Sequence, residues 1–172
     1  LVKNNFMFRK IQDFINIWDE ESKSTLKVLN SVTEQNKKQA VAEGFRTLER
    51  LAWHITTTLP EMCGKIGVEF KSHLDENTVP GTVAEIVSVY EKVSDELVEG
   101  LKKWTDADLE KETNMYGEPW KNGTTLMVLI SHQAHHRGQM TVLLRQAGLK
   151  APDVCGPAKE DWANFGAQPP IV

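Results

Sequence analysis

The chain has 172 residues, 40% of them apolar, so it can form one domain with a full core that needs no disulfide or metal to fold. Its 24 acidic and 20 basic residues give a net charge of -4, and the two signs are mixed along the chain. This pattern argues against nucleic acids and anionic membranes as partners, because both would require a basic stripe.

The cysteines and the lack of long apolar runs predict a cytoplasmic protein. Cys63 and Cys155 lie far apart and neither belongs to a CxxC pair, which suits a reducing compartment. Residues 1–10 lack the apolar run of a secretory signal, and no apolar stretch approaches the roughly 18 residues that span a membrane.

Apolar residues at helical spacing predict two helices in the first half of the chain. The first covers roughly residues 4–30. It is followed by a polar segment at 31–39 that could form a short helical turn. Thr47 is the predicted N-cap of the second helix. Pro60 could bend or end that helix, although the later apolar spacing suggests that it resumes. The apolar positions of the two helices are Ile11, Phe14, Ile15, Trp18, Leu26 and Leu29, then Leu48, Leu51, Ala52, Ile55 and Leu59.

The third predicted helix has the clearest period in the chain, and residues 105–108 can end it. Its stripe consists of Val83, Ile86, Val87, Tyr90, Val93, Leu97, Leu101 and Trp104. The region around Gly117 is predicted to be irregular, and no strand of useful length is expected. The fourth helix is predicted to start at an N-cap, Thr124 or Thr125, and to end before Gly148 at the C′ position.

Residues 151–172 contain four of the seven prolines and are predicted to form an extended tail across the helices, anchored by Trp162 and Phe165. The expected fold is therefore all-α: one domain over residues 1–172, a four-helix bundle with an extended proline-rich C-terminal tail.

Three of the five histidines lie in the middle of the fourth predicted helix. At about 100° per residue, His132 and His136 fall inside the apolar arc and His135 falls at its edge. Histidines one helical turn apart can converge on one metal ion, since both rings project from the same rigid face. A hydrogen-bonded pair of core histidines would explain the pattern equally well.

A third ligand would have to come from another helix. His54, at one flank of the apolar stripe of the second helix, is the candidate, whereas His73 lies beside polar residues near a loop. Three histidines would leave positions open for water or substrate, as in catalytic sites. A di-iron carboxylate site is excluded, because no histidine has Glu or Asp three residues earlier.

The motifs that carry these histidines resemble the DinB/YfiT-like superfamily over essentially the whole chain. They are residues 46–54, residues 129–139 with the His-His-Arg-Gly-Gln block, residues 144–148, and the tail segments 155–157 and 160–162. The resemblance implies a four-helix bundle, frequently dimeric, in which His54, His132 and His136 bind one metal ion. His135, Arg137 and Gln139 match the motif without being ligands, and are expected near the ligands, in helix contacts or in a substrate pocket.

Activities associated with this superfamily include transfer of low-molecular-weight thiols, such as bacillithiol or mycothiol, to electrophiles. The leading hypothesis is therefore a metal-dependent thiol S-transferase that acts on a small-molecule electrophile and assembles as a homodimer. The alternatives are a metal-dependent hydrolase, for which Glu49, Glu61, Asp19 and Glu20 are loose candidates as the base, and a non-enzymatic stress-induced metal-binding protein. Imidazole ligands favour zinc or nickel, with iron, manganese or copper as further possibilities.

Overall fold

A computed structural model describes residues 8–171, and four α-helices account for half of them. These are α1 (Ile11–Asn30), α2 (Leu48–Lys65), α3 (Val83–Leu101) and α4 (Asn122–Gln146). Helices α1 and α2 each pack against both α3 and α4, so α1 and α2 occupy opposite corners of the bundle. The predicted four-helix bundle is confirmed. Within residues 8–171, no helix is both long enough and apolar enough to cross a membrane.

Helix α1 begins at Ile11, later than the prediction of residue 4; residues 4–7 lie outside the described part of the chain. The Asp13 carboxylate accepts hydrogen bonds from the backbone N–H groups of Arg9 and Lys10 at 3.2 and 3.0 Å. The Asp13 side chain thus pairs with backbone N–H groups that have no carbonyl acceptor in the helix. These bonds hold residues 9 and 10 in place just before the first helical turn.

Thr47 caps α2 as predicted, since its hydroxyl accepts a hydrogen bond from the backbone N–H of Arg50. The helix continues through Pro60 without a break and ends at Lys65. Proline deletes one helical hydrogen bond. Burial of Leu59 and Met62 on the same face outweighs that loss, as tertiary packing provides most of the stability of a helix.

Two short antiparallel strands, β1 (Glu112–Met115) and β2 (Glu118–Lys121), precede α4 and correct the prediction that no strand forms. The turn between them places Tyr116 at φ 55° and Gly117 at φ 89°, the positive values that two-residue hairpin turns require. Strands of four residues are too short for apolar alternation to reveal them.

The hairpin moves the start of α4 to Asn122, earlier than the predicted cap at Thr124 or Thr125. The Asn122 backbone N–H donates to the carbonyl of Lys111 at 2.8 Å, and its side-chain amide donates to that of Asp108. The other end of α4 is as predicted. Gly148 has φ 74°, and the N–H groups of Gly148 and Leu149 close the last turn onto Arg145 and Leu144.

The C-terminal segment lies against the ends of α1 and α4. It is not extended throughout, because Lys159–Phe165 forms a 3-10 helix. Ala151 and Ala158 are buried, whereas Phe165 is 66% exposed, so its predicted role as an anchor is wrong. Ion pairs hold the segment: Lys27 with Asp153, Arg145 with Glu160, and Lys150 with Asp161.

Candidate metal centre

The structure brings His54 of α2 together with His132 and His136 of α4. The Nε2 atom of His132 lies 3.2 Å from that of His54 and 3.1 Å from that of His136. His136 is buried, and the other two are half-buried. The donor atoms of the three side chains all lie within 4.8 Å of one another. His73 is exposed and lies outside this group.

The spacing fits a shared metal ion. Two imidazole nitrogens bound to one ion at about 2.0–2.1 Å are about 2.9 Å apart at a right angle and about 3.4 Å apart at a tetrahedral angle. Both Nε2 distances at His132 fall within that range. A neutral ring nitrogen has either one proton or one lone pair, so at most one of these two contacts is a full two-centre hydrogen bond. The three histidines could therefore hold a metal ion.

The environment keeps these imidazoles neutral, which is the form that binds metal. Burial, the Arg46 charge and the neighbouring histidines lower the pKa of His54 to about 4. Burial, followed by His136, His135 and Arg46, lowers the pKa of His132 to about 4. Burial also lowers the pKa of His136, against the opposing hydrogen bond with Gln139. These shifts favour the neutral rings at neutral pH, so a cation would not have to displace the extra proton of an imidazolium.

Gln139 fixes the orientation of His136. Its side-chain oxygen lies 2.7 Å from Nδ1 of His136 and accepts a hydrogen bond from that nitrogen, which leaves the Nε2 lone pair facing the centre. The amide nitrogen of Gln139 lies 3.2 Å from Nε2 of His135. His135 is thus exposed beside the centre without reaching it. Polar groups that hold a ligand histidine in this way also fix its tautomer.

Arg137 points away from the histidines and into the core against α1. Arg137 is 1% exposed, and its guanidinium forms an ion pair with Glu21 and donates to the Thr25 hydroxyl at 3.0 Å and the Glu21 backbone carbonyl at 3.2 Å. The structure therefore places Arg137 in a helix contact, outside the surroundings of the candidate metal centre.

Gln133, which the sequence reasoning overlooked, joins all four helices beside the site. Its amide nitrogen donates to the carbonyl of Ile55 on α2 at 2.8 Å, and its oxygen lies 3.3 Å from the hydroxyls of Thr25 on α1 and Tyr90 on α3. Ile55 follows His54, and Gln133 follows His132. The amide thus bridges the two segments that carry the histidines. A helical wheel could have found it, because Gln133 falls at about 100° from His132, between Met140 and Leu126.

The family model of the DinB family matches residues 7–170, nearly the whole chain. The chain belongs to the DinB family. The chain is 41% identical over 165 residues to the uncharacterized protein YrdA of Bacillus subtilis, and the match covers 95% of this chain and 99% of YrdA.

Two solved DinB-like structures share the fold. A DinB-like protein from Bacillus cereus ATCC 10987 matches with a TM-score of 0.82 and 42% identity, covering 86% of this chain and 99% of that one. The DinB-like protein YjoA of Bacillus subtilis matches with a TM-score of 0.61 and 16% identity, over 79% and 92% of the two chains. The second similarity supports the fold alone. The resemblance drawn from the sequence motifs is thereby confirmed.

Proposed function

We propose that the protein binds one divalent metal ion through His54, His132 and His136 and transfers a low-molecular-weight thiol, such as bacillithiol, to a small-molecule electrophile. The observation that carries the proposal is the convergence of three neutral imidazoles. Within residues 8–171, no carboxylate or cysteine joins this donor group. A site with three protein ligands keeps coordination positions for a reactant, unlike a closed structural site.

A divalent ion in such a site lowers the pKa of a coordinating thiol and so supplies a thiolate at neutral pH. The histidines hold that ion, and Gln139 keeps His136 in the tautomer that presents Nε2. Neither cysteine of the chain is suited to the role of nucleophile. Cys63 is fully buried and burial raises the pKa of its thiol, while Cys155 lies in the C-terminal segment. The reacting thiol must then come from a cofactor.

The donor set favours zinc or nickel, with iron, manganese or copper as further candidates. Elemental analysis of the protein purified without added metal or chelator would identify the ion. We expect about one equivalent per chain, since one group of donors is present in residues 8–171.

Thiol transfer is tested with metal-loaded protein, a panel of thiols that includes bacillithiol, and a chromogenic electrophile. We expect a rate above the uncatalysed reaction with at least one thiol, and loss of both rate and metal in His132→Ala. His73→Ala is the matched control, because His73 is exposed and does not belong to the donor group. If metal-loaded protein gave no rate above background with any thiol, the transferase assignment would be wrong.

Metal-dependent hydrolysis is the second candidate, and Glu61 is the observation that favours it. The negative charge of Glu61 opposes the other influences on the pKa of His132, so this carboxylate contributes to the electrostatics of the centre. The Tyr116 hydroxyl donates to it at 2.8 Å, and Lys65 pairs with it. Glu61→Gln should abolish cleavage of a chromogenic ester while leaving metal content unchanged; unchanged cleavage would eliminate this candidate.

The other carboxylates considered as bases are occupied elsewhere: Glu49 is buried in an ion pair with Lys38, and Asp19 and Glu20 pair with Lys23 on the exposed face of α1. A non-enzymatic metal-binding protein would show no activity with either substrate class, and His132→Ala would then lower only metal content and stability.

We further propose that the protein acts as a homodimer in the cytoplasm. Both cysteines are free, in keeping with a reducing compartment. Light scattering coupled to gel filtration tests the dimer, and a monomeric mass at micromolar concentration would refute it.

A further inference from the structure

Beside the candidate metal centre, a cavity of about 670 Å³ opens between the connection that leads into α2 and the face of α4. Its lining includes Phe45 and Arg46 from that connection and His136, Gln139 and Val142 from α4. His136 and Gln139 belong to both the cavity and the metal centre, so a molecule bound here would touch the surroundings of the ion. The volume lies within the roughly 300–1,000 Å³ of small-molecule sites.

Part of the cavity wall consists of large apolar side chains that are exposed instead of packed in the core of the described chain. Val41, Phe45 and Val142 are 58%, 66% and 55% exposed. They come from two separate segments and line the same cavity, together with the buried Leu51 and Leu143. Large apolar side chains grouped on a surface usually mark a binding site. Their exposure to water is unfavourable, and a bound molecule would cover them.

One positive charge stands at this wall. Arg46 is the one described lining residue that carries a formal charge at pH 7. Its guanidinium makes no hydrogen bond or ion pair within residues 8–171, although its charge acts on all three histidines of the centre. An unpaired guanidinium presents a planar fork of donors, the geometry that carboxylates match.

We propose that this cavity binds the electrophilic substrate of the proposed transferase, and that this substrate has an apolar or aromatic body and a carboxylate. The body lies against Phe45, Val41 and Val142, and the carboxylate pairs with Arg46. The reactive end then faces His136 and the metal centre. That the ligand is a substrate rests on the proposed function. Its binding to the cavity can be measured without any reaction.

The test uses three probes: 4-phenylbutanoate, its uncharged amide 4-phenylbutanamide, and butanoate, which lacks the ring. Binding is measured by titration calorimetry on the full chain after removal of metal, so that a carboxylate cannot bind through the ion. A charged hydrogen bond and an aromatic contact each contribute enough that we expect 4-phenylbutanoate to bind at least about tenfold more tightly than either comparison probe.

Two variants and two matched controls locate the site. Arg46→Gln should weaken 4-phenylbutanoate about tenfold and leave the amide unaffected, and Phe45→Ala should weaken both ring-bearing probes at least about fivefold. Arg9→Gln and Phe165→Ala should change nothing; Arg9 is exposed outside the cavity, and Phe165 is as exposed as Phe45. Because both test residues are exposed, neither variant should impair folding, which thermal melting verifies.

Several results would overturn the inference. Equal affinity for the acid and the amide would remove the role of the charge, and unaltered binding in both variants would place the probe elsewhere. A change of oligomeric state in Phe45→Ala, with probe affinity retained, would assign the apolar wall to contact between copies of the chain. Probe binding without thiol transfer would refute the proposed function alone, whereas transfer unaffected by Arg46→Gln or Phe45→Ala would refute the cavity assignment alone.

Discussion

The buried ion pair between Arg137 and Glu21 gives the sharpest test of how α4 is held. The guanidinium is almost fully enclosed, and its Nε atom has no hydrogen-bond partner within residues 8–171. Its remaining nitrogens depend on the Glu21 carboxylate, the Glu21 carbonyl and the Thr25 hydroxyl. Glu21→Ala removes the carboxylate and leaves a positive charge buried without its counter-ion.

The size of the effect follows from this geometry. Breaking a fully buried ion pair costs about 3–5 kcal/mol. The side chain of Glu21 is 23% exposed, and two oxygen acceptors would remain, so water and those groups recover part of the loss. We therefore expect Glu21→Ala to lower the free energy of unfolding by about 2–3 kcal/mol. For a chain of this length, that corresponds to a fall in Tm of roughly 5–10 °C.

Glu20→Ala is the matched control, since Glu20 is the adjacent residue of α1 and its side chain is 77% exposed in a surface pair with Lys23. It should cost no more than about 0.5 kcal/mol. Replacing both partners, as Glu21→Leu with Arg137→Met, should destabilise less than Glu21→Ala alone, because no buried charge remains. Urea unfolding of the metal-free protein measures all three variants. Equal losses in Glu21→Ala and Glu20→Ala would show that the buried charge does not depend on its partner.

The remaining predictions concern the histidines and their supports. Burial lowers the pKa of His54 and His132 to about 4 in the folded protein, whereas a histidine in the unfolded chain has a pKa of about 6.5. Between pH 6.5 and 4 the unfolded chain therefore binds more protons than the folded protein does. The free energy of unfolding of the metal-free protein should therefore fall as the pH drops from 6.5 to 4. Replacing both His54 and His132 by Asn should flatten that pH dependence. An unchanged slope in the double variant would contradict the lowered pKa values. Gln139→Ala should weaken zinc binding about 10- to 100-fold in a competition titration, as loss of a group that orients a ligand does. The control Gln146→Ala, on the exposed end of the same helix, should have no effect, and equal affinities in the two variants would argue against orientation. Gln133→Met should cost about 1–3 kcal/mol by removing the hydrogen bonds that the Gln133 amide makes with the Ile55 carbonyl and the Tyr90 hydroxyl. It should also alter the visible spectrum of the cobalt-substituted protein; a destabilised variant with an unaltered spectrum would limit Gln133 to a structural role.

The four helices were predictable because each buries an apolar stripe that repeats at 3.6 residues. The failures lie where a side chain rather than the stripe decides a boundary. Asp13 holds residues 9 and 10 out of α1, and Asn122 ties the hairpin to the start of α4. Tertiary contacts of these kinds involve residues far apart or local turn chemistry, and apolar periodicity does not report them.

The candidate site divides in the same way. His132 and His136 could be placed from the helical wheel, whereas the assignment of His54, at the flank of its apolar stripe, depended mainly on the family resemblance. Arg46 and Phe45 gave no signal as a pair of cavity residues, since their position depends on how the connection between α1 and α2 folds against α4. Loop conformation of this kind is set by tertiary contacts, so residue type and spacing do not reveal it.

Helix α4 performs two tasks with residues that are adjacent in sequence. His132 and His136 meet α2, while the residues that follow them, Gln133 and Arg137, turn about 100° further and bind the carbonyl and hydroxyl groups of the neighbouring helices. The position of the histidines therefore depends on a buried network of protein groups, alongside a continuous apolar core. If the histidines bind an ion as proposed, its charge would be available to act on a reactant, because this network and the apolar core already support the fold.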